Sequence, residues 1–289
     1  MKENKNIFQV AIDLNVDVAE FKSASKKMLE LNPDWHYTLL TEKREMDNFM
    51  LSNFGKSEKK FHKEIYKTYL EIPRIMSEHF IDTGCDAREI VRISKLVAQI
   101  DFYKVCSVYT FGGLWMDVDT ELRGRLDSFQ EKSLDGVFFL NSRSDLGNSI
   151  FYAKKEHPFL KIVIDEIIFS INVRRWSNLV LAVGTDAWTR AALYASNNLA
   201  TPKAKEDLLK PTENQISMIP RLRRIDGYTM RILRPIQINN KILDGDFLTL
   251  VPWKSKLHGD YRDENRKYNP HWLFGYVGDF EKTEYKDRI

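Results

Sequence analysis

The chain has 289 residues, of which 43% are hydrophobic and 29% charged, enough apolar material for one large domain or two small ones and too much for a disordered chain. Lys and Arg number 44 against 41 Asp and Glu, a near balance that lacks the excess of a dedicated nucleic-acid binder, so no nucleic-acid partner is expected. No apolar run approaches the roughly 18 residues of a membrane span, and the opening MKENKNIFQVAIDL has no apolar signal-peptide core, which points to a cytoplasmic protein.

In chain order, Ile7–Leu14 reads as a buried first strand and Ala19–Leu31 as a helix, broken at Asn32-Pro33-Asp34. His36–Leu40 is a short strand, and a charged helical stretch begins near Glu42. Pro73 and Gly84 read as the next joints, and Cys85 and Cys106 as reduced thiols, since two cysteines make no disulfide framework. A long helix from Arg88 to about Thr110 should stop at Gly112-Gly113, where glycine suits a positive φ. Leu114–Asp119 (LWMDVD) and Gly136–Asn141 are strands, with helices at Phe159–Ser170 and near Thr185–Ala195. After Pro211 the chain turns irregular and basic, with strand candidates at Ile232–Ile238 and Phe247–Pro252. Strands alternating with helices over the first half indicate an α/β fold with a mostly parallel sheet. No long linker interrupts it, so residues 1–289 are taken as one domain, a first half to 145 and a second from 146.

The informative stretch is Arg88–Leu122. At about 100° per residue, Ile93, Leu96, Val97 and Ile100 share one arc of the helix, and Arg92, Lys95 and Gln99 lie on the opposite, polar arc. Asp101 and Lys104 fall within or beside the apolar arc, spaced so that each can touch the other. Buried charge is costly unless paired or used; the pair is either an ion pair at the core margin or part of a site. Asp117 and Asp119 end an apolar strand one residue apart, which puts both carboxylates on one face. Such a pair suits Mg²⁺ or Mn²⁺ completed by waters and substrate phosphates, at the strand end where open α/β sheets bind ligands. A chance D-x-D on a solvated strand end is the plain alternative.

Asp101, Lys104, Gly112-Gly113, Leu114-Trp115, Asp117, Val118 and Asp119 in this succession resemble the core of the DXD-containing sugar-binding glycosyltransferases, family 32 in the usual classification. That family includes yeast initiating mannosyltransferases and bacterial capsule and lipopolysaccharide enzymes, with the glucosylating clostridial toxins as distant relatives. Weaker similarity lies at Asn32-Pro33-Asp34-Trp35, at Asn148–Phe159 and at Val183-Gly184-Thr185. The chain departs from the family at Lys104, where an Arg is usual, and at Phe8-Gln9-Val10-Ala11-Ile12, where the family has an "HQIW" type segment; base recognition is therefore unassigned.

The resemblance implies a GT-A type fold and a metal-dependent, retaining transfer of a hexose or N-acetylhexosamine. The donor would be a UDP- or GDP-sugar, and the acceptor a glycan or lipid-linked glycan of surface polysaccharide biosynthesis. By the same similarity Asp101 and Lys104 would act as catalytic and donor-binding groups, Gly112 and Gly113 would border the donor, Asp117 would bind the ribose or donor sugar, and Asp119 the metal. His258 would complete the metal site with Asp117 and Asp119, and Trp272 would close over the donor; both residues equally suit surface packing. Asn148 and Asp186 are polar groups for the sugar or acceptor side, or helix caps. The basic stretch Arg221–Arg234 faces an acidic glycan or an anionic inner-membrane surface, or is a solvated loop partly offset by Asp226. Two other functions stay open: a haloacid-dehalogenase-like phosphatase with Asp117 as nucleophile, and an inactive nucleotide-sugar or carbohydrate-binding protein.

Overall fold

The computed structural model describes residues 4–12, 26, 28–82, 88–117, 120–122, 125–126, 134–140, 146–173, 182–197, 224–233, 237–238, 241–242 and 253–255. Its centre is a seven-stranded sheet in the order β2-β1-β3-β6-β5-β8-β7. The strands are β1 (Asn6–Val10), β2 (His36–Leu40), β3 (Gly113–Met116), β5 (Gly136–Leu140), β6 (Leu146–Ala153), β7 (Arg224–Ile225) and β8 (Tyr228–Leu233). β1 pairs in parallel with β2 and β3, and β5 with β8, whereas β6 runs antiparallel to β3 and β5, and β7 to β8. Five strands thus point one way, the α/β arrangement expected from the alternation of elements. Short pairs lie outside this sheet, β9 (Gln237–Ile238) with β10 (Lys241–Ile242) and β4 (Thr120–Leu122) with β11 (Trp253–Ser255).

Both sheet faces are buried, and strand alternation decides which side chain goes where. Phe8, Trp115, Phe138 and Phe151 join one core with α1 (Lys43–Met50), α2 (Lys60–Asp82), α3 (Arg88–Phe111), α4 (Pro158–Val173) and α5 (Thr185–Asn197). Ile7, Leu114, Met116, Val137, Phe139 and Tyr152 face the other way and pack with Trp35 and Met28. A single π-helical turn, Leu51–Gly55, joins α1 towards α2.

Several local expectations are corrected. Pro73 is no joint, because α2 runs through it. A proline has no N–H to give the carbonyl four residues back, here that of Tyr69, and the side-chain amide of Gln99 in α3 donates to that carbonyl at 3.3 Å instead. Gln99, assigned to the polar arc, is accordingly buried. The strand expected over Leu114–Asp119 ends at Met116, where the ladder with β6 stops at Met116↔Ile150. β6 was not anticipated as a strand, since Gly147, Asn148 and Ser149 interrupt its apolar pattern. Of the strand expected over Ile232–Ile238, Ile232 and Leu233 end β8 and Gln237–Ile238 form β9, while residues 234–236 and Phe247–Pro252 lie outside the described residues.

His157 opens α4. Its Nδ1 accepts the backbone N–H of Phe159 at 3.2 Å, and the ring is fully buried against Phe138 and Tyr228. Burial pulls the imidazole down to about 4, opposed by Asp135 and assisted by Lys154. The unfolded chain therefore binds this proton between about pH 6.5 and 4 while the folded chain does not. The stabilisation is fully present above pH 6.5 and is lost as the pH falls to about 4, on the order of 3 kcal/mol. Urea titrations of wild type and His157→Asn should diverge above pH 6.5 and converge near pH 4. Parallel curves across that range would refute the assignment.

The chain passes from β1 to β2 on one side of the sheet and returns to β3 on the other side of β1. β1 and β3 are therefore neighbours whose onward connections leave in opposite directions, and the crevice at the carboxyl ends of such strands is where open α/β sheets bind ligands.

Candidate active site at the end of β3

The spacing between α3 and β3 brings three charged side chains to this crevice. From Lys104 the helix climbs roughly 10 Å to Phe111 at 1.5 Å per residue, and from Gly113 the strand descends about 13 Å to Asp117. A sharp reversal between them sets Lys104 beside Asp117. The reversal needs Gly112, at φ +66°, and Gly113, at φ +124°, because a Cβ on Gly113 would lie 2.2 Å from the backbone oxygen of Asn6. The two glycines make the turn that feeds β3, at the far end of that strand from Asp117.

Lys104 Nζ lies 2.7 Å from Asp101 Oδ1 and 3.1 Å from Asp117 Oδ1. The Lys104 and Asp101 side chains are 4% and 9% exposed, whereas that of Asp117 is 36% exposed. Asn148 of β6 extends its amide to Asp101 Oδ1 at 3.4 Å. Trp115 Nε1 donates to Asp117 Oδ1 at 2.9 Å, and the Lys104 ammonium stands 5.4 Å over the Trp115 ring. Burial pulls the ammonium down, but the two carboxylates outweigh it and hold Lys104 above its ordinary value. Burial pushes the Asp101 carboxyl up, against the opposing pull of Lys104 and with the charge of Asp117 adding to the rise.

Both donors to the Asp117 carboxylate go to Oδ1, so among the described residues Oδ2 has no hydrogen-bond partner. A fixed, partly exposed carboxylate beside a buried ammonium suits a polyhydroxyl ligand, or a hard cation that takes its other ligands from water and phosphate. Among the described residues no group of three or more His, Cys, Asp or Glu stands together as a metal cluster.

Of the residues expected at the site, the structure gathers Asp101, Lys104, Asp117 and Asn148. Asp186 lies in the first turn of α5. Asp119, His258 and Trp272 lie outside the described residues, as do Arg221 and Arg234 at the two ends of the basic stretch. Cys106 is buried and free, its thiol raised by burial. Among the described residues no helix is long and apolar enough to cross a membrane.

Two site residues escaped the reading by motif. Trp115 was counted only as an apolar strand residue, and Gln9 only as part of a departure from the family pattern. Gln9 Nε2 donates to the Asp117 carbonyl at 3.1 Å. Its signal was available, a glutamine within the apolar run Ile7–Ile12.

Residues 19–134 match the family model "Glycosyltransferase sugar-binding region containing DXD motif". No curated protein matches the chain. Among solved structures it is similar to the PaToxG glycosyltransferase, at 16% identity and TM-score 0.45, over 76% of this chain and 84% of that one. It is also similar to the UDP-bound glycosyltransferase domain of the YGT toxin, at 10% identity and TM-score 0.35, over 88% and 83%. The catalytic domain of alpha-toxin from Clostridium novyi is a third, at 8% identity and TM-score 0.36, over 78% and 70%. Asp101, Lys104, the two glycines and Asp117 all fall inside the segment that matches this family model.

Proposed function

We propose that the chain is a glycosyltransferase that moves a hexose or N-acetylhexosamine from a nucleoside-diphosphate sugar, UDP- or GDP-linked, to a glycan or lipid-linked glycan in surface polysaccharide biosynthesis. The observation that carries this reading is the Asp101–Lys104–Asp117 assembly at the β1/β3 crevice, inside the segment that matches the sugar-binding family model, with one carboxylate oxygen left without a partner among the described residues.

Asp117 Oδ2 accepts a hydroxyl of the ribose or donor sugar. Lys104 is nearly enclosed, so its charge reaches the donor through Asp117 and Asp101 rather than by contact in this arrangement. Asn148 holds Asp101 from the β6 side. As the sugar–phosphate bond breaks, positive charge grows at the anomeric carbon and negative charge on the departing diphosphate, and the fixed groups need no reorganisation to meet it. The acceptor hydroxyl forms the new bond at the anomeric carbon on the same face the diphosphate leaves, and gives its proton to an oxygen of that departing diphosphate, so configuration is retained.

Asp117, Asp119 and His258 would hold a Mn²⁺ or Mg²⁺. The carboxylate of Asp117 suits such an ion. When bound, the ion supplies charge neutralisation of the diphosphate. Trp272 would cover the donor, and Arg221–Arg234 would meet an acidic glycan or anionic membrane surface, which suits a cytoplasmic enzyme at the inner face of a membrane.

Incubation with UDP-glucose, UDP-N-acetylglucosamine and GDP-mannose, in Mn²⁺ and in excess chelator, tests the reading. The expected products are intact nucleoside diphosphate and transferred or hydrolysed sugar, in Mn²⁺ only. Inorganic phosphate as primary product, with label trapped on Asp117, would overturn it in favour of a phosphatase. Full turnover in chelator would remove the metal alone.

A further inference from the structure

β3 is a strand of four residues, and only two of them, Leu114 and Trp115, pair with β1. Side-chain amides of β1 take over at both ends. Asn6 Nδ2 donates to the Gly112 carbonyl at 3.0 Å, where the chain enters β3. Gln9 Nε2 donates to the Asp117 carbonyl at 3.1 Å, where it leaves. Gln9 is itself held, since the Tyr37 hydroxyl of β2 donates to its Oε1 at 2.7 Å. A buried amide is costly unless it is satisfied, and an aliphatic residue would pack the strand as well; the hydrogen bonds are what a glutamine adds here.

Asp117 is thereby gripped on every side but one. Its N–H donates to the Ser149 carbonyl at 2.8 Å, its C=O accepts from Gln9, and its Oδ1 accepts from Trp115 and Lys104. We infer that Gln9, steadied by Tyr37, is a positioning residue. By fixing the backbone of Asp117 it lets Trp115 and Lys104 hold one carboxylate oxygen while the other faces the donor. The inference rests on the reading of Asp117 as a donor-binding carboxylate.

The Trp115 indole N–H, identified among the six tryptophans by its absence in Trp115→Phe, reports the grip without any turnover. Gln9→Leu should speed its exchange with solvent and shift its proton resonance towards the value seen in Asp117→Asn. Tyr37→Phe, at the sheet edge and milder for folding, should do the same to a smaller degree. The loss of one neutral hydrogen bond corresponds to about a three- to tenfold change in exchange and in donor KM, with kcat less affected. In an Asp117→Ala background the effect of Gln9→Leu on UDP-glucose, UDP-N-acetylglucosamine or GDP-mannose binding should vanish, whereas a merely structural glutamine would cost the same in both. An indole unmoved in both Gln9→Leu and Tyr37→Phe would overturn the inference. Failure of every donor to react, with the indole responding, would overturn the transferase reading and leave the grip on Asp117 standing.

Discussion

Lys104→Met is expected to cut donor turnover by about 10²-fold or more, the scale of one removed electrostatic stabiliser, and to lower stability as well. Methionine has a stem of similar length and brings no charge, so the variant leaves Asp101 and Asp117 facing each other without the ammonium that lies 2.7 and 3.1 Å from them. Asp101 is 7% exposed, and an unpaired carboxylate at such a place is strongly destabilising. Its carboxyl, already raised by burial, rises further, so the folded variant takes up a proton that the unfolded chain releases. A group raised in the folded state stabilises below its unfolded value and loses that contribution as pH rises through its folded value; Lys104→Met should therefore be relatively less damaged in acid. The double variant Lys104→Met/Asp101→Asn removes one negative charge with the positive one and should regain melting temperature without regaining turnover. Turnover unchanged in the single variant, beside a lowered melting temperature, would reduce the pair to an ion pair of the core.

Arg190→Met should cost about 3–5 kcal/mol in urea denaturation, with donor turnover by the folded fraction unaffected. Arg190 of α5 and Glu166 of α4 are both 1% exposed, with Arg190 Nε 2.7 Å from Glu166 Oε1. Ser170 joins the arrangement, accepting from Arg190 Nη2 at 3.0 Å and donating to Glu166 Oε1 at 3.1 Å. Removing the arginine alone strands a buried carboxylate, whereas replacing both partners with apolar residues removes the need for it. Glu166→Leu/Arg190→Met should thus recover most of the loss. If the double variant falls as far as the single, packing by the long side chains, not charge, is what these positions contribute.

Local order was legible in the chain. The apolar run at β1, the helix from Arg88 and its stop at Gly112-Gly113 follow from hydrophobic period and glycine conformation, each decided by residues a few positions apart. The pairing of Asp101 with Lys104 follows equally from helical spacing. What neighbours supply from afar was not legible. The helix through Pro73 depends on Gln99, 26 positions away, satisfying the carbonyl that proline leaves without a donor. Placement of the antiparallel β6 between β3 and β5 depends on partners on both sides, and its polar centre hides it from any pattern of alternation. The sequence by itself singled out Asp101, Lys104 and Asp117 and set the first two one helical turn apart on α3. Only the tertiary structure decided that Lys104 is enclosed between two carboxylates, and that Gln9, 108 positions before Asp117, grips it. The physical reason is that period and propensity act along the chain, whereas burial and hydrogen-bond satisfaction are settled between segments that meet only once the sheet is assembled.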